Sequence, residues 1–372
     1  MDNLTPPTAT GTPFDRAMMQ RCLQLARQGI GKTSPNPLVG AVVVQNGKIV
    51  GEGYHPGIGQ PHAEVFALRE AGEKAKWGTL YVNLEPCNHY GRTPPCSEAI
   101  IQVGIKKVVI GMADPNATAS GGKQRLEAAG ISVLVGVEEK ACRELNAGFI
   151  HRILYQRPFG IFKYAMTLDG KIATTMGHSA WVTDLPARKR VYQERSQCDA
   201  IIVGGNTVRQ DNPYLTTHQL TTQNPLRIVM TRTLDLSPEA HIFQVDEAPT
   251  LVLTEQDNLE ATKQLEKQGV EVLQLSPLTP STVMNYLYER GLARVLWECG
   301  GTLAAKAIKE GVIQQILAFI APKIIGGVNA PTPVGDLDFK AMTEALVLEE
   351  ITWEQLGDDY LLIGKLVRPA SR

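Results

Sequence analysis

No apolar stretch of this 372-residue chain is long enough to cross a bilayer: runs such as ILAFIA at 316 to 321 fall far short of the roughly 20 residues a spanning helix needs. No membrane partner is expected. The opening MDNLTPPTATGTP lacks both the basic start and the apolar stretch of an export signal, so residues 1–12 read as a frayed polar tail and the expected location is cytoplasmic. An excess of charge of one sign is also missing, with 37 basic residues against 38 acidic ones. That balance removes the broad positive field with which nucleic-acid binders neutralise phosphates, so no nucleic-acid partner is expected. Six cysteines without an export signal are too sparse for a disulfide framework and read as reduced thiols. There is no short-period repeat and no low-complexity tract. What remains is 43% hydrophobic residues with glycine and proline spread throughout, in a chain too long for one ordinary core. Two globular domains follow.

Thr12, Pro13 and Asp15 supply an N-cap, a first-turn proline and a capping-box acid, and Phe14, Met18, Cys22 and Leu25 continue at helical spacing, so a helix is predicted over about 13–28. VGAVVV and IVGEGYH flank Asn46-Gly47, the residue pair of a two-residue hairpin turn. Helical and strand patterns then alternate through HAEVFALREAGEKA, TLYVNL, CSEAIIQVG, KKVVIGM, GKQRLEAAG and ISVLVG, with a further helical stretch from about 138 to 155 that stops at Pro158. A boundary near 156 is predicted. The second half repeats the rhythm from GIFKYAM to ARVLWECGG and ends in a hydrophobic region of unassigned structure. Both halves are α/β, each a sheet covered on its two faces, that is, two three-layer domains.

One stretch raises a chemical question. LEPCNHYGRTPPC, residues 84–96, carries Cys87 and Cys96 around a loop stiffened by a glycine and a proline pair. A disulfide and a metal are the two uses for such an arrangement, and reduced thiols favour the metal. In PHAEV, His62 stands where a helix begins and Glu64 lies in its first turn. One imidazole and two thiolates on Zn²⁺ make a neutral three-ligand site with a fourth position for water, the open coordination of catalytic zinc. Such an ion lowers the pKa of its water from about 15.7 towards about 7, and Glu64 is placed to move that water's proton. This is the His-x-Glu and Pro-Cys arrangement of zinc-dependent base deaminases. The spacing departs from Pro-Cys-x-x-Cys, so the stiff loop has to bring Cys96 back to the ion. The competing reading is a closed structural site with His89 as fourth ligand, on a scaffold without enzymatic activity.

SPNPLVGAVVV, GEGYH, PHAEVFAL, LEPCNHYGRTPPC and ADPN, in that order, resemble the deaminase domain of the bifunctional riboflavin-biosynthesis deaminase/reductase family. KYAMTLDGKIAT, HSAWVT, DAIIVGGNTVRQDNP, LWECGGTLAA and APKIIGG resemble the reductase domain of that family. The resemblance implies a cytidine-deaminase-like zinc domain over 13–156 followed by a dihydrofolate-reductase-like, NADPH-dependent domain over 157–372. It implies hydrolytic deamination of a diaminopyrimidinone bearing a ribosylamino 5′-phosphate, then hydride transfer from NADPH to the ribosyl group, in a homo-oligomer, dimer or tetramer. By the same resemblance Asn36, His55, His89 and Arg92 become substrate-contacting candidates in the first domain. In the second, Ala165, Trp181, Thr207, Asp211 and the segment Gly300, Gly301, Thr302, Leu303, Ala304, Ala305 and Lys306 fall at cofactor positions. Lys163, Ser179, Arg195, Leu215, His218 and Glu298 fall at substrate positions, with Lys163 and Asp211 expected near the hydride acceptor. The chain departs from the family pattern at Asn212, where a second acid is usual, and at His218, where an arginine commonly follows the Leu-Thr motif. Imidazole offers no bidentate fork for phosphate. The alternative is therefore a deaminase whose second domain only binds or dimerises.

Overall fold

In the computed structural model, which describes residues 11–90, 94–221, 223–256 and 258–367, Thr12 and Asp15 close the capping box at the head of α1 (Pro13–Ala26). The chain divides into two compact units between Gln156 and Arg157. Residues 1–10 of the expected tail lie outside the described residues.

In the first unit, β1 (Gly40–Gln45) and β2 (Lys48–Tyr54) form the hairpin that Asn46-Gly47 predicts. Both turn residues have positive φ, 50° and 73°, as a two-residue turn matched to strand twist requires. Strands β3 (Thr79–Leu84), β4 (Lys107–Met112) and β5 (Ser132–Val135) complete a sheet of order β2-β1-β3-β4-β5. Its first half is antiparallel, with Ala41 opposite Val82, and its second half parallel, with Leu80 beside Val108. Ala41, Val42, Val43 and Val44 of β1 are all buried, so both faces are covered. α1 lies over β1 and β3, whereas α2 (Ala63–Ala71) packs on β1 and β2 and touches α3 (Cys96–Val103). A Cβ at Gly53 would stand 2.4 Å from Ala63 O, so only glycine lets α2 approach this closely. After α4 (Gly122–Ala128), the helical stretch predicted over 138–155 is two helices, α5 (Glu139–Leu145) and α6 (Ala147–Tyr155). The break is Asn146, whose buried amide bonds both the N–H and the C=O of Leu38.

The second unit is a nine-stranded sheet. In chain order its strands are β6 (Phe159–Thr167), β7 (Ala200–Gly204), β8 (Leu226–Thr231), β9 (Thr250–Thr254), β10 (Glu271–Gln274), β11 (Arg294–Trp297), β12 (Gln315–Ala321), β13 (Val347–Leu356) and β14 (Asp359–Val367). Their spatial order is β10-β9-β8-β7-β11-β6-β12-β14-β13, parallel up to β12 and antiparallel beyond it. Ile201 and Val203 enter one core, Ala200 and Ile202 the other, so the sheet is covered on both faces. The covering elements include α7 (Leu185–Ser196), α8 (Gly205–Asp211), α9 (Leu259–Lys267), α10 (Pro280–Glu289) and α11 (Gly301–Lys309). The closing hydrophobic region is the hairpin β13–β14; its edge strand is exposed along most of its length, which hides the two-residue alternation by which a half-buried strand is read. Parallel pairing brings the ends of β6, β7 and β11 to one edge, where ligand sites of open parallel sheets lie.

The capping box also ties α1 to the sheet. The Asp15 carboxylate accepts from Thr12 N and Oγ1 at 2.9 and 2.8 Å, from Tyr81 OH at 2.9 Å and from Lys107 Nζ at 3.3 Å. Burial works to raise its pKa, but these donors outweigh it and hold the carboxyl at about 2. A depressed carboxyl stabilises the fold above its unfolded pKa and loses that contribution as pH falls towards 2. Asp15→Asn is therefore expected to destabilise the first unit at pH 7 by on the order of 2 kcal/mol. In urea unfolding the gap between the two proteins should narrow as pH drops from 4 towards 2; a gap independent of pH would contradict this account.

Candidate active sites

α2 and α3 both begin without a side-chain hydrogen bond to their first amides. The residue at the α2 N-cap is His62, and Cys96 is the first residue of α3, so the two positions present metal-ligating side chains in place of caps. Cys87 lies three residues beyond β3. Its carbonyl accepts from Ser97 N at 3.2 Å and its sulfur from Cys96 N at 3.3 Å, which fixes the thiol against the head of α3. The ligand atoms of His62, Cys87 and Cys96 lie within 4.8 Å of one another. His62 Nδ1 stands 3.3 Å from Cys96 Sγ and 3.5 Å from Cys87 Sγ. A tetrahedral zinc with ordinary Zn–N and Zn–S bonds separates such atoms by about 3.5 Å, so the donor set and its dimensions suit zinc.

Balanced by protons alone, the cluster is strongly polarised. The Cys96 thiol, donating to Cys87, together with the His62 ring, brings Cys87 down to about 4 against the opposing effect of burial. Cys96 is driven up, first by that same bond and then by burial. The bond to Cys87 raises His62 to about 9. A divalent cation takes thiolates and a neutral imidazole, so metal binding at this set competes with protons. Glu64 is almost completely buried beside the cluster, and burial raises its pKa. A carboxyl poised in this way can both take and return a proton.

His89 is exposed and joins no metal-sized group among the described residues, so the closed four-ligand alternative has no fourth ligand there. Arg92 lies outside the described residues. His55 is buried, its ring edge-on to that of His62 with centroids 5.6 Å apart. Its Nδ1 donates to Pro61 O at 3.1 Å and its Nε2 accepts from Asn36 Nδ2 at 3.1 Å, in the one tautomer that satisfies both. In this arrangement His55 orients the Asn36 amide. Burial lowers its pKa, which keeps the ring neutral.

In the second unit, Trp297 pairs with Phe162, so Glu298, one residue past β11, meets Lys163 of β6. The Glu298 carboxylate takes Lys163 Nζ at 3.2 Å and Arg195 Nε and Nη2 at 2.7 and 3.0 Å. Burial alone would raise its pKa, but Arg195 and then Lys163 hold it at about 2. Arg195 Nη1 continues to Thr216 O at 2.9 Å, next to the buried Leu215. Ser179 Oγ donates to Asp211 Oδ1 at 2.6 Å, at the end of α8, so Asp211 and Lys163 are engaged with different partners. His218 is exposed and stacks on Tyr192. Ala165 is half-buried on β6 and Thr207 half-buried in α8. Gly300 and Gly301 head α11 without a side-chain cap, and a Cβ at Gly300 would meet nothing within 4 Å. A helix start without a side-chain cap, with open space at Gly300, suits a cofactor phosphate. Thr302 and Lys306 are exposed and Leu303 half-buried, but Ala304 and Ala305 are buried beneath the helix, so their side chains face the interior.

Three residues that the sequence analysis did not single out have a place in the structure. Glu85, between β3 and Cys87, accepts from Asp114 N, Gly121 N and Lys123 N at 3.2, 3.1 and 2.9 Å. Arg227, fully buried in β8, donates to Thr250 Oγ1 and to the carbonyls of Tyr214, Gln244 and Ala248. A charge inside the apolar run LRIVMT was the available clue to its role. Arg188 sits in the basic run PARKR, which reads as a solvated helix face.

The family model described as the cytidine and deoxycytidylate deaminase zinc-binding region matches residues 12–112, and that described as the RibD C-terminal domain matches residues 158–362. The chain is 60% identical over 354 residues to the riboflavin biosynthesis protein RibD of Synechocystis sp., covering 95% of this chain and 96% of that one. It is 44% identical over 355 residues to the protein of the same name from Aquifex aeolicus, covering 95% and 98%. Among solved structures, Acinetobacter baumannii RibD superposes with a TM-score of 0.84 at 36% identity, covering 95% of this chain and 99% of that one. A Thermotoga maritima protein titled a diaminohydroxyphosphoribosylaminopyrimidine deaminase/5-amino-6-(5-phosphoribosylamino)uracil reductase gives 0.84 at 35%, with the same coverage.

Glu85 braces the loop that carries Cys87, so Glu85→Ala should weaken zinc retention without removing a ligand. Chelator competition is expected to give an affinity lower by roughly 10-fold to 100-fold; an unchanged affinity would remove Glu85 from this role.

Proposed function

The chain belongs to the family of bifunctional deaminase/reductases of riboflavin biosynthesis, and on that premise we infer how its two units divide the work. The first unit removes the ring amine of a 2,5-diamino-6-(5-phosphoribosylamino)pyrimidin-4-one by hydrolysis. The second reduces the ribosyl group of the product to ribityl with NADPH. The observation that carries this reading is the convergence of His62 Nδ1 with two cysteine sulfurs beside a buried glutamate.

In the deaminase unit His62, Cys87 and Cys96 hold zinc. Zinc, when bound, makes a water acidic enough to supply the nucleophile at neutral pH. Glu64 would take one proton of that water and give it to a ring nitrogen as the hydroxyl adds to carbon, then take the remaining proton of that hydroxyl and pass it to the amine, which leaves as ammonia as the C–N bond breaks and the C=O bond forms. His55 keeps the Asn36 amide turned one way, so Asn36 presents a fixed donor and acceptor pair to the base. His89 and Arg92 are assigned to the substrate.

In the reductase unit the segment from Gly300 to Lys306 at the head of α11 would hold NADPH, which would supply the hydride. Ala165, Trp181, Thr207 and Asp211 complete that cofactor site. Glu298 is kept ionised by Arg195 and Lys163, and in this reading the Lys163 ammonium would face C1 of the ribosyl group, where hydride adds while the C1–O ring bond opens and its oxygen takes a proton to become a ribityl hydroxyl. Ser179, Leu215 and His218 line the substrate side. This buried three-membered ion cluster favours an active reductase over a domain that only binds or dimerises.

The enzyme is cytoplasmic and homo-oligomeric in this reading. No helix among the described residues is long and apolar enough to cross a membrane. Edge strand β13 leaves Val347, Ile351 and Trp353 exposed, a surface suited to a second copy.

Glu64→Gln keeps the size of the side chain and removes its basicity. Zinc content should be retained while the deamination rate falls by roughly 100-fold to 10,000-fold, measured by release of ammonia from the diaminopyrimidine phosphate. Turnover at the wild-type rate in a zinc-loaded variant would rule out the assigned proton carrier.

A further inference from the structure

Two motifs of the second half, TLDG at 167–170 and APKIIGG at 321–327, take no part in the chemistry above, yet the sheet brings them together. Thr167 at the end of β6 pairs with Ala321 at the end of β12, and Tyr360 near the start of β14 lies opposite Ile320. The turn after β6, the loop after β12 and the head of β14 therefore meet at the carboxyl edge of the parallel strands, the edge at which such sheets bind ligands. The Asp169 carboxylate accepts from Gly326 N at 2.8 Å, and Leu168 N donates to Lys323 O at 2.8 Å, so the two motifs are joined at both places. The Lys323 side chain reaches on to a third segment. Its Nζ donates to Trp181 O and to Val182 O, both at 3.0 Å, and stands 3.5 Å from Asp184 Oδ1.

Segment 179–184 is held at its ends as well. Ser179 Oγ donates to Asp211 Oδ1 at 2.6 Å, and Asp184 N donates to the buried Asp359 carboxylate at 2.7 Å. Between these anchors Trp181 has a φ of 52°, a conformation that side chains of this size rarely adopt. Its indole is 67% exposed, so burial does not hold the bend. Two consecutive carbonyls converging on one ammonium do, because a lysine has three donors and here gives two of them to the same turn of backbone. Held in this way, the Trp181 ring has its centre 4.1 Å from the Arg188 guanidinium carbon.

We propose that Lys323 is a positioning residue of the reductase unit: it restrains the bend at 181–182 and so sets where the Trp181 ring stands. This rests on the reading of Trp181 as part of the NADPH site. Without the ammonium, the two carbonyls lose their donor and the strained φ loses its restraint, while the sheet beneath keeps all its own hydrogen bonds.

Hydrogen exchange on the full chain without cofactor is the first test. In Lys323→Met the Asp184 amide should exchange roughly 10-fold faster, with the amides of β6 and β12 keeping their wild-type protection. Unchanged exchange at Asp184 would show that the segment does not depend on Lys323, and faster exchange spreading through β6 and β12 would show general unfolding; either overturns the proposal. Calorimetric binding of NADPH is the second. Lys323→Met should raise its dissociation constant by roughly 10-fold, and Lys323→Arg, which keeps donors for both carbonyls, should recover most of the loss. Trp181→Ala should weaken binding to a similar extent, and adding Lys323→Met to it should cost little more, because the lysine acts through the indole. No loss in Lys323→Met, no recovery with arginine, or two losses that multiply in full would each sink the idea. Should the wild-type chain bind no NADPH, the cofactor reading of the second unit falls, and hydrogen exchange alone decides whether Lys323 holds the segment.

Discussion

Everything chemical in the first unit depends on holding three electron-rich side chains a few ångströms apart, although they repel one another once deprotonated. The fold brings two helix starts and one strand end to the same point, and each contributes one donor. The positive ends of α2 and α3 favour thiolate and imidazole lone pairs directed at a cation. Close packing of α2 against the hairpin, which glycine at position 53 permits, sets where His62 stands. The third donor is held by its own backbone, through Ser97 and Cys96 amides and the Glu85 brace.

The second unit meets a related problem with opposite signs. Lys163 and Arg195 approach the end of β11, and one buried carboxylate, Glu298, keeps both cations there. Arg188 stands apart from this cluster, packed on Trp181 and without an ion-pair partner among the described residues. Loop 214–218 lies between two arginines, Arg195 on one side and the buried Arg227 on the other, both bonded to its carbonyls. Several residues of this loop and its flanks, Asn212, Leu215, His218 and Gln219, hold positive φ, a conformation that needs such anchoring.

Much of this was legible in the chain as written, because short-range rules governed it. Caps at Thr12 and Asp15, the Asn46-Gly47 turn and the alternation of strand and helix periods each act within a few residues. His62, Glu64, Cys87 and Cys96 could be grouped because their order and residue types suit one ion. Asn146 was not legible as a helix break, since its side chain serves a backbone more than 100 residues away. Nor was β13 legible as a strand, because an exposed edge has no reason to alternate.

The sequence by itself determined the two-unit α/β plan, the chemistry of the zinc ligands and the absence of a membrane-spanning run. Those properties follow from residue type and spacing, which are local. Only the tertiary structure decided which side chains are already engaged: that His55 serves Asn36, that Arg195 and Lys163 both serve Glu298, and that Arg188 has donors to spare. Hydrogen-bond and charge partnerships join residues distant in the chain, so they exist only once strand register and helix placement have brought those residues together.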